Sequence, residues 1–408
     1  MRRKPLFPPP QDAGSQKKLR NKGRQEYTVL TVNGRVRVAR IRWQGSDGSR
    51  TVIDGYLDRA ERTISVGIRE MACRLNGGGT NFDRTAENLA HVAQVHASGE
   101  TLRTLIEAEG RKVVKAFREG TVPITWTAKD CVAEPGTAGP TRVYFGCDGV
   151  MAPMVTAGEK TKRRQTIQSK RRRRGRKCRP LPRAKAGADQ KYKEFKLVTY
   201  YDEPKTHRLV VGTKGNGEEA GRLMRRLAGR IDLATAAEKV GNVDGAPWIR
   251  GQVEGRGLPL DALGLDFYHL AENVHKARRV VYGDSDVAGM VWAGDILHAF
   301  KHDGYDITWE KLVTWRALWR GPKRAAADAL RNYVSERREM ILYPAFAAKG
   351  WQIGSGPTEA CCKTLTQRLK GPGMRWDADN AEAIMALESL RESDLWKTYW
   401  QTQLPQTT

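Results

Sequence analysis

Between Lys160 and Lys185 the chain carries fourteen Lys or Arg residues and no acid. A run of that composition cannot fold by itself, because its like charges repel and stay solvated. Any fold built around it must let residues 160–186 leave and re-enter as a basic loop insertion. The flanking segments have the opposite texture: Val143 to Gly146, Phe195 to Tyr201 and Arg208 to Val211 are short β-branched and aromatic runs that read as strands. Asp202-Glu-Pro-Lys, between the last two, fits a hairpin turn. Next come a mainly helical stretch to about Val240, a short segment ending at Asp244 and a strand-like run from Leu263 to Phe267. Early strands followed by strands interleaved with helices predict an α/β sheet with an antiparallel start.

A chain of 408 residues exceeds one ordinary domain, so two or three units are expected. Residues 1–26 are rich in Pro, Gln and Lys and read as a disordered basic tail. Tyr27 to Trp43 alternates β-branched and polar residues around Asn33-Gly34, a hairpin signal. Leu57, Ala60, Ile64, Ile68, Met71 and Leu75 recur at helical spacing and predict one helix that stops at Asn76-Gly-Gly-Gly. A second helix starts near Thr80, and a third carries Leu102, Leu105, Ile106, Val113 and Phe117 on one stripe. The 27–120 region thus reads as a β-hairpin plus a helix-turn-helix-like DNA-binding unit. Arg103, Arg111 and Lys112 lie off the third helix's apolar stripe, as a major-groove reader requires. The competing reading is a small helical unit that only packs or dimerises. Residues 270–349 read as helices whose Trp292, Trp309, Trp315 and Trp319 belong to a core rather than to base stacking.

The formal net charge of +25 calls for a polyanionic partner. No apolar stretch approaches the roughly 20 residues of a spanning helix, and the N-terminus lacks the apolar core of a secretory signal. Six cysteines without a Cys-x-x-Cys pair fit thiols in a reducing cytoplasm and offer no zinc framework. Within the basic run, Arg163, Arg164, Arg171, Arg172, Arg173 and Arg174 are candidates for phosphate contact, since each neutralised phosphate releases counterions whatever the sequence. A solvated loop or a targeting patch is the bland alternative.

Three acids stand out against this basic background. Asp148 follows the apolar run Val143-Tyr-Phe-Gly-Cys, Asp244 precedes Gly245-Ala-Pro247, and Glu359 lies two residues after Pro357. Taken singly they are a turn residue, a cap and a first-turn helix acid. Together they supply the hard oxygen ligands that Mg2+ or Mn2+ prefer, and two such ions can serve an in-line displacement at a phosphodiester. A fourth element, Asp266-Phe-Tyr-His269, ends a strand-like run. On its own, His269 reads as a structural histidine.

The ordered strings Asp148-Gly, Asp244-Gly-Ala-Pro-Trp-Ile, Asp266-Phe-Tyr-His, Gly354-Ser-Gly-x-x-Glu and Gln367-Arg-Leu-Lys-Gly-Pro-Gly-Met-Arg-Trp resemble the DDE transposases of bacterial insertion sequences. The likeness is nearest to the Mutator-like branch, with its Asp-x-x-His motif after the second Asp, and it covers about residues 141–392. One departure is Asn242-Val243-Asp244-Gly245 where that family usually has Gly-Asp-Gly-Ala, although the acid itself survives.

The resemblance implies an RNase H-like catalytic domain over 141–269 and 350–395, interrupted by an all-helical insertion at 270–349. It makes Asp148, Asp244 and Glu359 the catalytic ligands of two Mg2+ or Mn2+ ions and Asp266 and His269 accessory, with Asp266 the alternative second ligand. Arg368, Lys370 and Arg375 of the last string join the DNA contacts. The activity implied is cleavage at element ends and joining of the freed 3′-OH to target DNA. Terminal inverted repeats, target DNA and further copies of the chain would be its partners, with no membrane, in the bacterial cytoplasm at the nucleoid. A nuclease of the same fold without strand transfer, or a transposase-derived DNA-binding protein without catalysis, are the alternatives.

Overall fold

Strand β4 (Arg142–Pro153) is buried over most of its length, as expected of a strand covered on both faces. It is the middle strand of a five-stranded sheet ordered β6-β5-β4-β7-β8. β5 (Tyr192–Asp202) pairs antiparallel with β4, and β6 (Arg208–Thr213) antiparallel with β5. On the other side β7 (Glu238–Val243) and β8 (Ala262–Leu265) run parallel. The computed structural model describes residues 19–45, 48–51, 63–78, 81–134, 136, 138–175 and 181–404. The protein is a mixed α/β structure, and the expected antiparallel start is present.

Helix α5 (Gly217–Arg230) covers one face, where the Tyr200 hydroxyl donates to the Met224 carbonyl at 2.9 Å. α6 (Pro247–Val253) follows β7. The other face is covered by α12 (Gly356–Gln367) and α13 (Ala378–Glu392): a Cβ on Gly146 would strike Thr358, and one on Gly212 would strike Met385. Between β8 and α12 lie α7 (Phe267–Tyr282), α8 (Val287–His302), α9 (Tyr305–Ala317), α10 (Gly321–Ser335) and α11 (Tyr343–Ala348). Their tryptophans form a core: Trp292 stacks on Trp315 at 4.1 Å, and Trp315 Nε1 donates to the Tyr282 hydroxyl at 2.9 Å. Among the described residues, no helix is long and apolar enough to cross a membrane.

Upstream, β1 (Arg20–Thr31) and β2 (Gly34–Gly45) form the expected hairpin, with Gly34 at positive φ, and the short β3 (Gly48–Arg50) pairs antiparallel with β2. The strand begins at Arg20, so residues 20–26 belong to the hairpin and not to a disordered tail; pairing with β2 holds them despite their polar composition. Residues 1–18 lie outside the described residues. α1 (Val66–Asn76) starts nine residues later than its periodicity suggests. Ile64 bridges to Leu30, and the Ser65 hydroxyl caps the helix, accepting from the Ile68 amide. Leu57 and Ala60 lie outside the described residues. α2 (Phe82–Ala93) and α3 (Gly99–Glu119) follow. α3 lies against α13 so closely that a Cβ on Gly110 would be 2.3 Å from the Ala383 carbonyl oxygen. The helical N-terminal region therefore packs onto the sheet domain rather than standing apart.

The largest departure is the basic run. Residues 157–173 form a 17-residue helix, α4, and not a loop. A capping box starts it: Thr156 Oγ1 accepts from the Glu159 amide at 3.3 Å, while Glu159 Oε2 accepts from the Thr156 amide at 3.0 Å. Lys160 anchors the first turn to Asp377 and to the Ala186 carbonyl. Helix propensity of Lys, Arg and Gln and the local cap prevail over charge repulsion.

Candidate functional site

The parallel ladder between β4 and β7 keeps a constant offset of 96 residues, from Arg142 opposite Glu238 to Phe145 opposite Gly241. The same offset carries Asp148 to Asp244. The β7–β8 ladder, with Val243 opposite Leu265, likewise carries Asp244 to Asp266. Continued past the last paired residues, these registers bring the three acids to one level at the end where β7 and β8 stop, with strands about 4.8 Å apart; the Asp148 charge acts on Asp244. Asp148 does not close its strand, as the apolar run suggested: β4 continues past it to Pro153 because β5 goes on pairing there. The space beside Gly149 is filled by Glu194.

Each acid has a distinct environment. Asp148 Oδ1 accepts from the Gly149 amide at 2.6 Å, and Oδ2 faces the Cys362 thiol at 3.4 Å. Asp244 Oδ1 accepts from the Ala246 amide at 2.8 Å. Burial raises the Asp244 pKa above the ordinary carboxylate value and the Asp148 charge adds to the rise; the Ala246 amide, His269 and Arg337 oppose it. Asp266 is fully buried and its oxygens are committed: Oδ1 accepts from the Tyr268 and His269 amides at 2.6 and 3.1 Å, and Oδ2 from the Ser355 amide. It caps α7 and pins the residue that precedes α12. His269 Nδ1 lies 3.5 Å from Glu272.

Glu359 sits exposed in the first turn of α12, where Ser355 Oγ donates to it at 3.4 Å. Its placement depends on how α12 meets the sheet. Thr358 packs into the space left by the missing side chain of Gly146 and bonds Thr199 at 3.0 Å; Thr199 in turn donates to the Gly146 carbonyl at 3.1 Å. One turn on, Cys362 touches Asp148. Glu359 lies three residues before Cys362, on the adjoining part of the same helix face. Gly146, Thr199, Thr358, Cys362 and Arg337 carry no motif. The one readable signal was a glycine inside an apolar strand, which marks close approach of another element.

The proposed DNA contacts divide. On α3, Arg103 pairs with Glu100 and Glu107, Lys112 with Glu109 at 3.0 Å, and Arg111 donates to Asn380 at 2.8 Å. These side chains hold protein together, contrary to the groove-reading expectation. Arg368 is corrected more sharply. It is fully buried between Phe82 and Trp376, each ring centroid 4.9 Å away, and bonds Asn76 at 3.4 Å. Burial lowers its pKa to about 10. Lys370, Arg375, Arg163, Arg172, Arg173 and Arg174 are exposed. Arg375 pairs with Glu159, Arg164 donates to the Pro182 carbonyl at 2.6 Å, and Arg171 is half-buried.

A second cluster, unforeseen from the cysteine spacing, joins Cys131, Asp202 and His207. His207 Nδ1 lies 2.8 Å from Asp202, which also accepts from the His207 amide and the Thr206 hydroxyl. These bonds close the β5–β6 hairpin, and burial pushes the Cys131 thiol up to about 12, so it stays protonated.

Comparison of the sequence with models of known protein families matches none of them, and comparison with curated proteins finds no match.

Proposed function

We propose that this chain is an RNase H-like DNA transposase of the DDE type, cutting element ends and joining the freed 3′-OH to target DNA. The observations that carry this reading are the Asp148 charge acting on Asp244 at the ends of neighbouring strands and the docking of α12 through Cys362 on Asp148, one turn after Glu359, in a chain of net charge +25.

A divalent ion suits this donor set. The ligands are hard oxygens, and Asp244 holds its proton too tightly for a carboxylate with adequate positive company. Asp148, Asp244 and Glu359 would hold Mg2+ or Mn2+, which when bound stabilises charge on the attacking and leaving oxygens of the phosphodiester. The protein's share is orientation. The Gly149 and Ala246 amides fix Asp148 Oδ1 and Asp244 Oδ1; Asp244 Oδ2 is left for the metal, and Asp148 Oδ2 would be shared between the metal and the Cys362 thiol. Asp266, with every oxygen occupied by an amide, fits a brace for α12 better than a second ligand. Arg337 lends positive potential beside Asp244. Action on paired element ends would require more than one copy of the chain.

The test is incubation of the protein with terminal-repeat DNA and Mg2+. Nicking at the 3′ end followed by joining supports the proposal, and nicking alone assigns a nuclease. Binding without cleavage assigns a DNA-binding role. Asp148→Asn, Asp244→Asn and Glu359→Gln should each abolish cleavage while leaving DNA binding; retained cleavage in all three would refute the site.

A further inference from the structure

Helix α4 has no buried residue over 17 positions and carries eight cations against one acid, Glu159, in its first turn. Lys160, Lys162, Arg163, Arg164, Lys170, Arg171, Arg172 and Arg173 point in all directions: at 3.6 residues per turn they leave no neutral sector wider than about 80°. Among the described residues, the side chains of Lys162, Lys170, Arg172 and Arg173 meet no protein acceptor. A helix lying along one face of a polyanion needs cations on one side only. A helix charged all round needs anionic walls on both sides.

The anchoring adds a second argument. The helix is fixed at its base by the capping box, by Lys160 on Asp377 and by the close approach of Gly187 to Ala157. It leaves β4 beyond Asp148, at the same end of the sheet as the acids. Asp148 and the end of the strand are five residues apart, about 17 Å. The remainder is about 20 Å of helix, rigid and solvent-facing.

We infer that α4 enters the major groove of a B-form DNA duplex, which it fills with phosphate-facing cations on both walls, and so holds that duplex beside the acid cluster. The groove is about 12 Å wide and accepts a helix of 10–12 Å, whereas the deep, narrow major groove of A-form RNA does not. The inference rests on the DNA reading of the acid site and adds a mode of binding to it: an ordered helix in a groove, not a flexible chain tracking a backbone.

Ser169→Pro in the full chain keeps every cation and breaks the helix in its last third, ahead of Lys170–Arg173. Affinity for a DNA duplex, measured by fluorescence anisotropy, should fall about tenfold or more, while Ser169→Ala binds as wild type. Joint replacement of Lys170, Arg172 and Arg173 by Gln should lower the slope of log affinity against log salt by about 2.7, at 0.9 per phosphate contact. Wild type should prefer the DNA duplex to an RNA duplex of the same sequence, and this preference should shrink in Ser169→Pro. Equal binding of Ser169→Pro and wild type, or equal binding of the two duplexes by wild type, overturns the groove mode. Mg2+-dependent cleavage of terminal-repeat DNA persisting in that case would leave the reading of the acid site standing. Since α4 buries nothing, unchanged thermal stability of the variants shows that the fold is intact.

Discussion

Helix α3 carries five Lys or Arg residues and gives each of them a protein acceptor, whereas α4 carries eight and turns most of them to solvent. The difference lies in what accompanies the cations. α3 places Glu100, Glu107, Glu109 and Glu119 three or four residues from its basic side chains and lies against α13, whose Glu382 accepts Arg118 at 2.9 Å. α4 has neither nearby acids beyond its first turn nor a helix to lean on. Counting positive charge on a helix does not identify a nucleic-acid surface; subtracting the acids within one turn and across the packing interface comes closer.

The sharpest test of this contrast is stability. Glu109→Ala leaves the guanidinium of Arg69, 2.9 Å away and buried, without its carboxylate. Chemical denaturation should show a loss of about 3–5 kcal/mol. The joint Gln replacement on α4 should change stability by about 0.5 kcal/mol or less, as for exposed sites generally. Were the two sets of variants equally mild, α3 would not be the structural helix described.

Next in size is the docking of α12. Gly146→Ala forces a Cβ into the Thr358 hydroxyl and should cost about 1–3 kcal/mol. Cleavage should fall by more than DNA binding does, because Glu359 shifts while α4 does not. Equal losses in both assays would unlink the acid site from the α12 contact.

A smaller effect extends the comparison to unpaired negative charge. Because the folded-state pKa of Asp244 is raised, the unfolded chain releases that proton first as pH climbs, so ionisation opposes folding above the ordinary carboxylate range. Asp244→Asn should therefore melt higher than wild type at pH 7, with the gap closing as pH falls below the unfolded carboxylate pKa. Added Mg2+ should raise the wild-type melting temperature and leave that of Asp244→Asn nearly unmoved. Smallest of all, Arg103→Gln and Arg111→Gln should leave duplex affinity within about twofold of wild type, since these exposed or half-exposed bonds each contribute about 1 kcal/mol or less to the fold and face protein acceptors. A drop comparable to that of the α4 variants would restore α3 as a DNA reader.

Much of the sheet was legible because β4, β5 and β6 are written as apolar runs broken by turn residues, and the insertion because its tryptophans and apolar positions repeat at helical spacing. The starts of elements were less so. Ile64 fits the helical pattern yet pairs with a strand, since periodicity does not say which of two partners an apolar residue will find. The basic run hides its helix for a related reason: repulsion argues against a core, not against a helix that needs none.

Sequence alone determined which residues can do chemistry. Asp148, Asp244, Asp266 and Glu359 sit beside glycines, prolines and strand ends that any reader of local pattern can find, because turn and cap chemistry acts over three or four residues. Only the tertiary structure separated their roles. Strand register led Asp148 and Asp244 toward one end of the sheet, three amides then claimed Asp266, and a missing side chain at Gly146 let α12 dock through Thr358 with Glu359 next to it in the chain. The same holds for Arg368, one basic residue among 71 by sequence and a buried plate between two aromatic rings in the fold. Register, burial and donor commitment depend on residues up to hundreds of positions away, and no local pattern encodes them.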